Sequence, residues 1–192
     1  MQPCDEDSSD SELVARIQKG NRAAFETLFR RYYENLCGFV ESQIGASNVA
    51  EDLVQNVLLN LWRRRQEWEP RTSLRAYLFG AARNEFLQYR EHRDVRDRWA
   101  EEEKEREDPP PTVPPPSENV EHRELRREIK KCIAELPERR REVYVLSRQH
   151  GLTYKEIAAV MDISPKTVDN QMVEALKFLR KRLQSFSSTI SR

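Results

Sequence analysis

The chain has 192 residues, 33 basic and 33 acidic, with 34% charged and 38% hydrophobic side chains and only five glycines. That balance suits one or two small, surface-rich helical domains rather than one large core. No apolar run approaches the roughly 20 residues of a membrane span, and the acidic start MQPCDEDSSDSE has no apolar signal segment, so a cytoplasmic protein with no direct membrane insertion is expected.

Cys4, Cys37 and Cys132 lie far apart, form no C-x-x-C pair and have no histidine cluster beside them. Neither a zinc site nor a disulfide framework is expected, and Cys37 and Cys132 read as small apolar residues on helical faces. There are no paired catalytic acids, no nucleophile–base arrangement and no phosphate-cradling glycine loop, so the expectation is no enzyme and no cofactor. The neutral total hides a division of charge. Residues 1–9 carry three acids and no base. Residues 10–98 carry 15 bases and 13 acids, 99–118 two bases and seven acids, and 119–192 16 bases and 10 acids. The last segment has the balance of a nucleic-acid partner and the acidic one that of a solvated tether.

In chain order, residues 1–9 read as disordered. Ser9 and Glu12 have capping-box spacing and start a helix that ends at Gly20. Asn21 caps the next, where Phe25, Leu28, Phe29, Tyr32, Leu36, Phe39 and Val40 recur at helical spacing until Gly45. In the third, SNVAEDLVQNVLLNLWRRRQEW, Asn48 and Glu51 repeat the capping-box spacing. Ala50, Leu53, Val54, Val57, Leu58, Leu61 and Trp62 share its buried face. Asp52, Asn56, Leu59 and Arg63 lie opposite, with Gln55 at the edge. Leu59 is the odd residue there: a lone exposed leucine, or the apolar centre of a small protein-binding patch.

Pro70 breaks that helix, and Thr72 or Ser73 caps a fourth whose core stripe is Leu74, Leu78, Ala82, Phe86 and Tyr89. Asn84 and Gln88 share another face. Arginines 71, 75, 83, 90, 93, 96 and 98 lie among Trp68, Tyr77 and Trp99. Such interleaving suits single-stranded DNA, where bases stack on rings while arginines hold the backbone; the plainer alternative is core aromatics beside a solvated face. DPPPTVPPPS can be neither helix nor central strand and reads as a polyproline spacer of about 25 Å. Ser117 caps a fifth helix with Val120, Leu125, Ile129, Cys132, Ile133 and Leu136 inward. Pro137 opens a sixth with Val143, Val145 and Leu146 inward and Arg139–Arg141 outward.

The stretch Leu152–Leu183 reads as two helices joined by a tight turn. Thr153 and Glu156 form a capping box; Ser164 caps the second helix and Pro165 takes its first position. Val168, Met172, Ala175, Leu176, Leu179 and Leu183 form one stripe, with Lys166, Asn170, Val173, Glu174, Lys177 and Lys181 turned away. This is the helix-turn-helix layout, whose second helix enters the DNA major groove; an ordinary capped helical hairpin has the same pattern.

The motifs AEDLVQNVLLNLWRRR (50–65), SLRAYLFGAARNEFLQYRE (73–91) and LPERRREVYVLSRQHGLTYKEIAAVMDISPKTVDNQMVEALKFLRKRL (136–183) resemble, in order, those of bacterial extracytoplasmic-function sigma factors. The resemblance implies an all-α chain: sigma domain two over residues 10–98, a linker over 99–117, sigma domain four over 118–185 and a tail over 186–192. It implies binding to core RNA polymerase, through its beta and beta-prime subunits, and to promoter DNA. It also implies control by an anti-sigma factor, often in response to stress or a signal. The polymerase contacts fall on Asp52, Leu53, Gln55, Asn56 and Leu59, the minus-ten contacts on Trp68, Arg71, Ser73, Arg83, Asn84 and Gln88, and the minus-thirty-five contacts on Lys166, Thr167, Asn170, Gln171 and Lys177. Two positions depart from the pattern. Asn56 stands where the family commonly has an acid, and Glu174 where it commonly has Arg or Lys; Glu174 is expected to pair with Lys177, Arg180 or Lys181. The proline tether is expected to hold the two domains at a distance.

Overall fold

The computed structural model describes the backbone of residues 9–68, 72–100 and 120–190, and the side chains of 9–68, 72–93 and 127–184. Those residues form α1 (Asp10–Gln18), α2 (Arg22–Ile44), α3 (Ser47–Arg63), a 3-10 turn (Arg65–Glu67), α4 (Leu74–Ala100), α5 (Val120–Ala134), α6 (Glu138–Arg148), α7 (Tyr154–Met161) and α8 (Pro165–Ile190). There is no strand among them, as the helical periodicity predicts. None of these helices is long and apolar enough to cross a membrane.

Local chemistry sets most of the boundaries. Ser9 and Glu12 form a reciprocal capping box on α1. Asn21 accepts from the Ala24 N–H to start α2, and Gly45 ends it in the left-handed region at φ 74°. Ser73, rather than Thr72, caps α4 by accepting from the Ala76 N–H at 3.1 Å. Thr153 and Glu156 form the second full capping box, on α7, and Ser164 caps α8 through the Thr167 N–H at 3.0 Å. The cap expected from Asn48 does not form. The helix α3 starts earlier, from Ala46, with no side-chain bond at its N-cap, so Asn48 already lies inside the helix and its side chain is exposed. Pro137 stands at the N-cap of α6. The expected break at Pro70 and cap at Ser117 lie outside the described residues.

Packing follows the apolar stripes. In the first half, α2 packs on α1, α3 and α4, burying Leu28, Leu36, Phe39, Val54, Leu58, Leu78, Phe79 and Phe86. In the second, α6 and α7 pack on α8, and α5 also meets α8, around Cys132, Leu136, Ala175 and Leu179. Two stripe positions are misassigned by the period alone: Phe29 and Leu176 are exposed.

The arrangement of the halves corrects the expectation of a tether holding them apart. The helix α4 packs along α7, and α2 touches α6. One continuous core runs from Leu13 through Phe39 and Phe79 to Val145, Ile157 and Met172. Both halves carry apolar surface at the junction, and burying it removes that surface from water.

Candidate functional site

The outer face of α3 is open. Asp52, Gln55, Asn56 and Leu59 all reach solvent, and Leu59 is 51% exposed, which makes it the largest unburied aliphatic side chain there. The α2 helix adds an aromatic edge, of which periodicity had placed Phe29 in the core: Phe29 stacks on Tyr33 at 4.5 Å, and Gln55 Nε2 donates to the Tyr33 hydroxyl at 3.5 Å. Polar groups around an unburied Leu and a stacked ring pair make a small mixed polar and apolar patch on the surface. Leu53 does not belong to it. It is 8% exposed, inside the core, one helical step from the polar face, and can only support the patch from beneath.

The second cluster lies at the start of α4. Trp68 is corrected from a base-stacking residue to a structural one. It is 3% exposed, lies 5.4 Å from the Tyr77 ring and accepts a 2.7 Å bond from Gln18 Nε2 at its carbonyl. An indole buried there cannot stack on a base. Asn84 and Gln88 are exposed and one helical turn apart. Arg71 lies outside the described residues.

Arg83 and Ser73 are not open to solvent in the way single-strand contacts require. Arg83 forks onto Glu142, with Nε donating to Oε1 at 2.5 Å and a second N–H to Oε2 at 3.4 Å. Glu142 belongs to α6 and its side chain is only 4% exposed, against 19% for Arg83. Burial pushes the Glu142 carboxyl above the usual carboxylate range, against the pull of Arg83. Ser73 donates to Glu156 of α7. Burial works to raise Glu156, but the bonds from Ser73 and from the Thr153 N–H and hydroxyl outweigh it and hold this carboxyl below the usual range. Arg90 pairs with Glu138 of α6, and that bond lowers the Glu138 carboxyl. Arg75 donates to the carbonyls of His150 and Gly151.

His150 fills the middle of this junction. Its ring lies 5.9 Å from Phe39 and 5.1 Å from Phe79, and neither ring nitrogen has a hydrogen-bond partner among the described residues. Burial, with Arg75 nearby, lowers its pKa from 6.5 to about 4, so the ring is neutral. Glu142 and His150 were missed in the sequence. Glu142 had one usable signal: Val145 and Leu146 stand three and four residues after it, so it shares their inward stripe.

The third cluster is the start of α8. Lys166 and Asn170 are exposed, and Thr167 and Gln171 are half-buried beside them. Lys166 pairs with Asp169 at 2.9 Å, and the Thr167 hydroxyl meets that of Ser164 at 2.8 Å. Further on, Glu174 pairs with Lys177 at 2.9 Å, one of its expected partners, and the bond from Lys177 lowers its pKa. That pairing partly neutralises Lys177 on this face of α8. Across the described residues no group of three or more His, Cys, Asp or Glu side chains is arranged to hold a metal.

Residues 28–96 match the sigma-70 region 2 family model, and residues 126–179 the sigma-70 region 4 model. The chain is 29% identical to the RNA polymerase sigma factor CarQ of Myxococcus xanthus over 179 residues, covering 93% of this chain and 100% of that one. It is 27% identical to the ECF RNA polymerase sigma-E factor of Escherichia coli over 185 residues, covering 93% and 96%. Among solved structures it shares its fold with CnrH, determined with the cytosolic domain of CnrY, at a TM-score of 0.68 and 24% identity, over 93% of this chain and 99% of that one. The sigma factor RpoE of Bartonella quintana, determined with the anti-sigma factor NepR, matches at a TM-score of 0.68 and 23% identity, over 83% and 96%.

Proposed function

The chain belongs to the sigma-70 family, in its extracytoplasmic-function group, and on that premise we propose how its residues divide the work. It binds core RNA polymerase and directs promoter-specific transcription initiation, as an initiation factor rather than a classical enzyme. Residues 10–98 act as domain two and residues 118–185 as domain four.

Asp52, Gln55, Asn56 and Leu59 dock on the polymerase, with Leu53 holding their helix in place. Burying Leu59 supplies the apolar part of that contact, and the acid and amides around it set the orientation. Asn56 contributes a neutral hydrogen bond where an acid would give a charged one, which weakens that point of contact. Arg71, Ser73, Arg83, Asn84 and Gln88 act on the minus-ten strand. Unstacking a base costs a few kcal/mol, which cationic and amide contacts to the freed strand offset. Lys166, Thr167, Asn170 and Gln171 face the major groove of the minus-thirty-five element, with Lys177 toward the backbone. The protein works in the cytoplasm, where its polymerase is. An anti-sigma factor is its regulator, in keeping with the partner seen on the similar RpoE.

The observation that carries this reading is the open polar face of α3 around Leu59, inside the region 2 match. A gel shift on promoter DNA, with and without core polymerase, tests it, the promoter having first been found by transcript mapping after overexpression. Specific binding is expected only when core enzyme is present. Tight binding by the free protein to a palindrome, unchanged by polymerase, would instead mark a free-standing dimeric regulator.

A further inference from the structure

We propose that the seam between α2, α5 and α6 is a binding site for a small phosphate monoester that also carries an amine. The ligand bridges opposite charges that do not meet within the protein. None of the lining residues is among the polymerase or promoter contacts assigned above, so the site stands or falls apart from them.

The seam holds a cavity of about 310 Å³, at the lower end of the range of small-molecule sites. Its acid and its cations come from different halves of the chain. Glu41 belongs to α2, Lys130 to α5 and Arg141 to α6; Gln149, just past the end of α6, adds an amide, and Val145 an apolar surface.

These charges do not neutralise one another. Glu41 and Lys130 are exposed, and neither side chain has an ion pair or hydrogen bond among the described residues. Arg141 is half-buried. It donates one N–H to the Ala134 carbonyl at 3.1 Å, while its Nε is buried with no acceptor among the described residues. A buried guanidinium N–H without an acceptor is costly, and an anion is the acceptor that suits it best. Cations elsewhere on the same helices and across the junction are already taken, Lys131 by Glu128, Arg90 by Glu138 and Arg83 by Glu142. Opposite charges that line one cavity and stay apart fit a molecule carrying the complementary pair.

The charges also say which pair. Two cations match a dianion, and a phosphate monoester is one above its second pKa of about 6. A carboxylate would leave one cation unmatched. Glu41 matches an ammonium at the ligand's other end, and Gln149 can bond the atoms between. Two cations and one acid leave the cavity with one positive charge, and an amino phosphate monoester carries one negative charge. Because the lining comes from both halves, a bound ligand adds stability to the chain as a whole.

Calorimetric titration of the full chain tests this, with O-phosphoethanolamine as the probe. It should bind at one site and raise the melting temperature. Ethyl phosphate, which lacks the amine, and ethanolamine, which lacks the phosphate, should each bind at least about tenfold more weakly. Arg141→Gln should weaken the probe by about tenfold, and Lys130→Gln, an exposed change that leaves the fold intact, by several-fold. Glu41→Gln should remove the preference over ethyl phosphate. Ala134→Phe, at the exposed edge of the cavity, should block binding with every charge kept. Lys131→Gln, outside the cavity, should change nothing. Glycerophosphoethanolamine, the diester found in lipid headgroups, should bind more weakly because it has one negative charge fewer. No saturable binding of the probe in the millimolar range would overturn the proposal. So would equal losses in Lys130→Gln and Lys131→Gln, which mark a general attraction of phosphate to basic surface, or tighter binding of the diester, which would assign the site to a lipid instead.

Discussion

The outer face of α3 and the arginine-bearing side of α4 belong to one four-helix unit, yet the first is open and the second is covered. On α3, Asp52, Gln55, Asn56 and Leu59 meet solvent. On α4, Arg83 is forked by Glu142, and Ser73 is bonded to Glu156. Charge explains the difference. The α4 face is rich in arginine and finds a row of acids on α6 and α7, whereas the α3 face carries one acid, two amides and a leucine. The α3 face is therefore ready for a partner in the chain as it stands, while the arginines of α4 already have one.

The largest expected effect breaks the open face. Asp52→Ala with Gln55→Ala should lower affinity for core polymerase by about a hundredfold, or about 3 kcal/mol, the scale of two hot-spot side chains. The melting temperature should stay unchanged, because both residues are exposed. Normal co-purification of this variant with core enzyme would refute the assignment of α3.

Next is the covered face. Phe39→Ala removes a fully buried ring that contacts Phe79, Phe86 and His150, and should cost about 3–5 kcal/mol of stability. Because the core is continuous across the junction, denaturant unfolding should show both halves losing stability together. A variant that destabilises domain two alone would mean that the junction carries little energy.

A pH series sharpens the same point. His150 has a folded pKa of about 4, below its ordinary 6.5. The unfolded chain therefore binds the proton first, and stability falls as pH drops from 6.5 toward 4, by about 3 kcal/mol at most. Above pH 6.5 this ring contributes no pH dependence. His150→Phe should abolish the acid-side loss, while Glu142 and the other carboxylates titrate in both proteins and cancel in the comparison. Parallel stability curves for the two proteins across that range would show that His150 is not buried neutral.

Smaller effects belong to α8. Lys166→Ala should weaken upstream duplex binding by the holoenzyme and reduce its salt slope by about one. Glu174→Lys should strengthen that binding slightly, less than the loss at Lys166, as expected for an exposed charge. Measuring both over a range of salt separates a phosphate contact from a structural one.

The helices and most of their ends were legible because they depend on neighbours in sequence. The capping boxes at Ser9 and Thr153, the left-handed Gly45 and the Ser164–Pro165 start are local chemistry and form as expected. The Asn48 box failed because its helix begins earlier, so a correct spacing fell in the wrong register. The exposure of Leu59 was legible from its place among polar residues on α3. Trp68 was not, because aromatic residues between arginines look alike whether they face a base or a core, and only the packing against Tyr77 and Gln18 decides. The junction was least legible. Glu142, Glu156 and His150 lie about 60 to 110 residues from their partners in domain two, and periodicity says which face of a helix is apolar but not which helix will meet it.

The most direct test of the account is the distance between α4 and α7, followed by fluorescence energy transfer from labels on exposed positions of each helix. In the free chain the labels should be close. On core polymerase engaged at a promoter they should separate by tens of ångströms, because the two elements lie roughly 85 Å apart along the duplex. An unchanged short distance in a transcriptionally active complex would contradict the account.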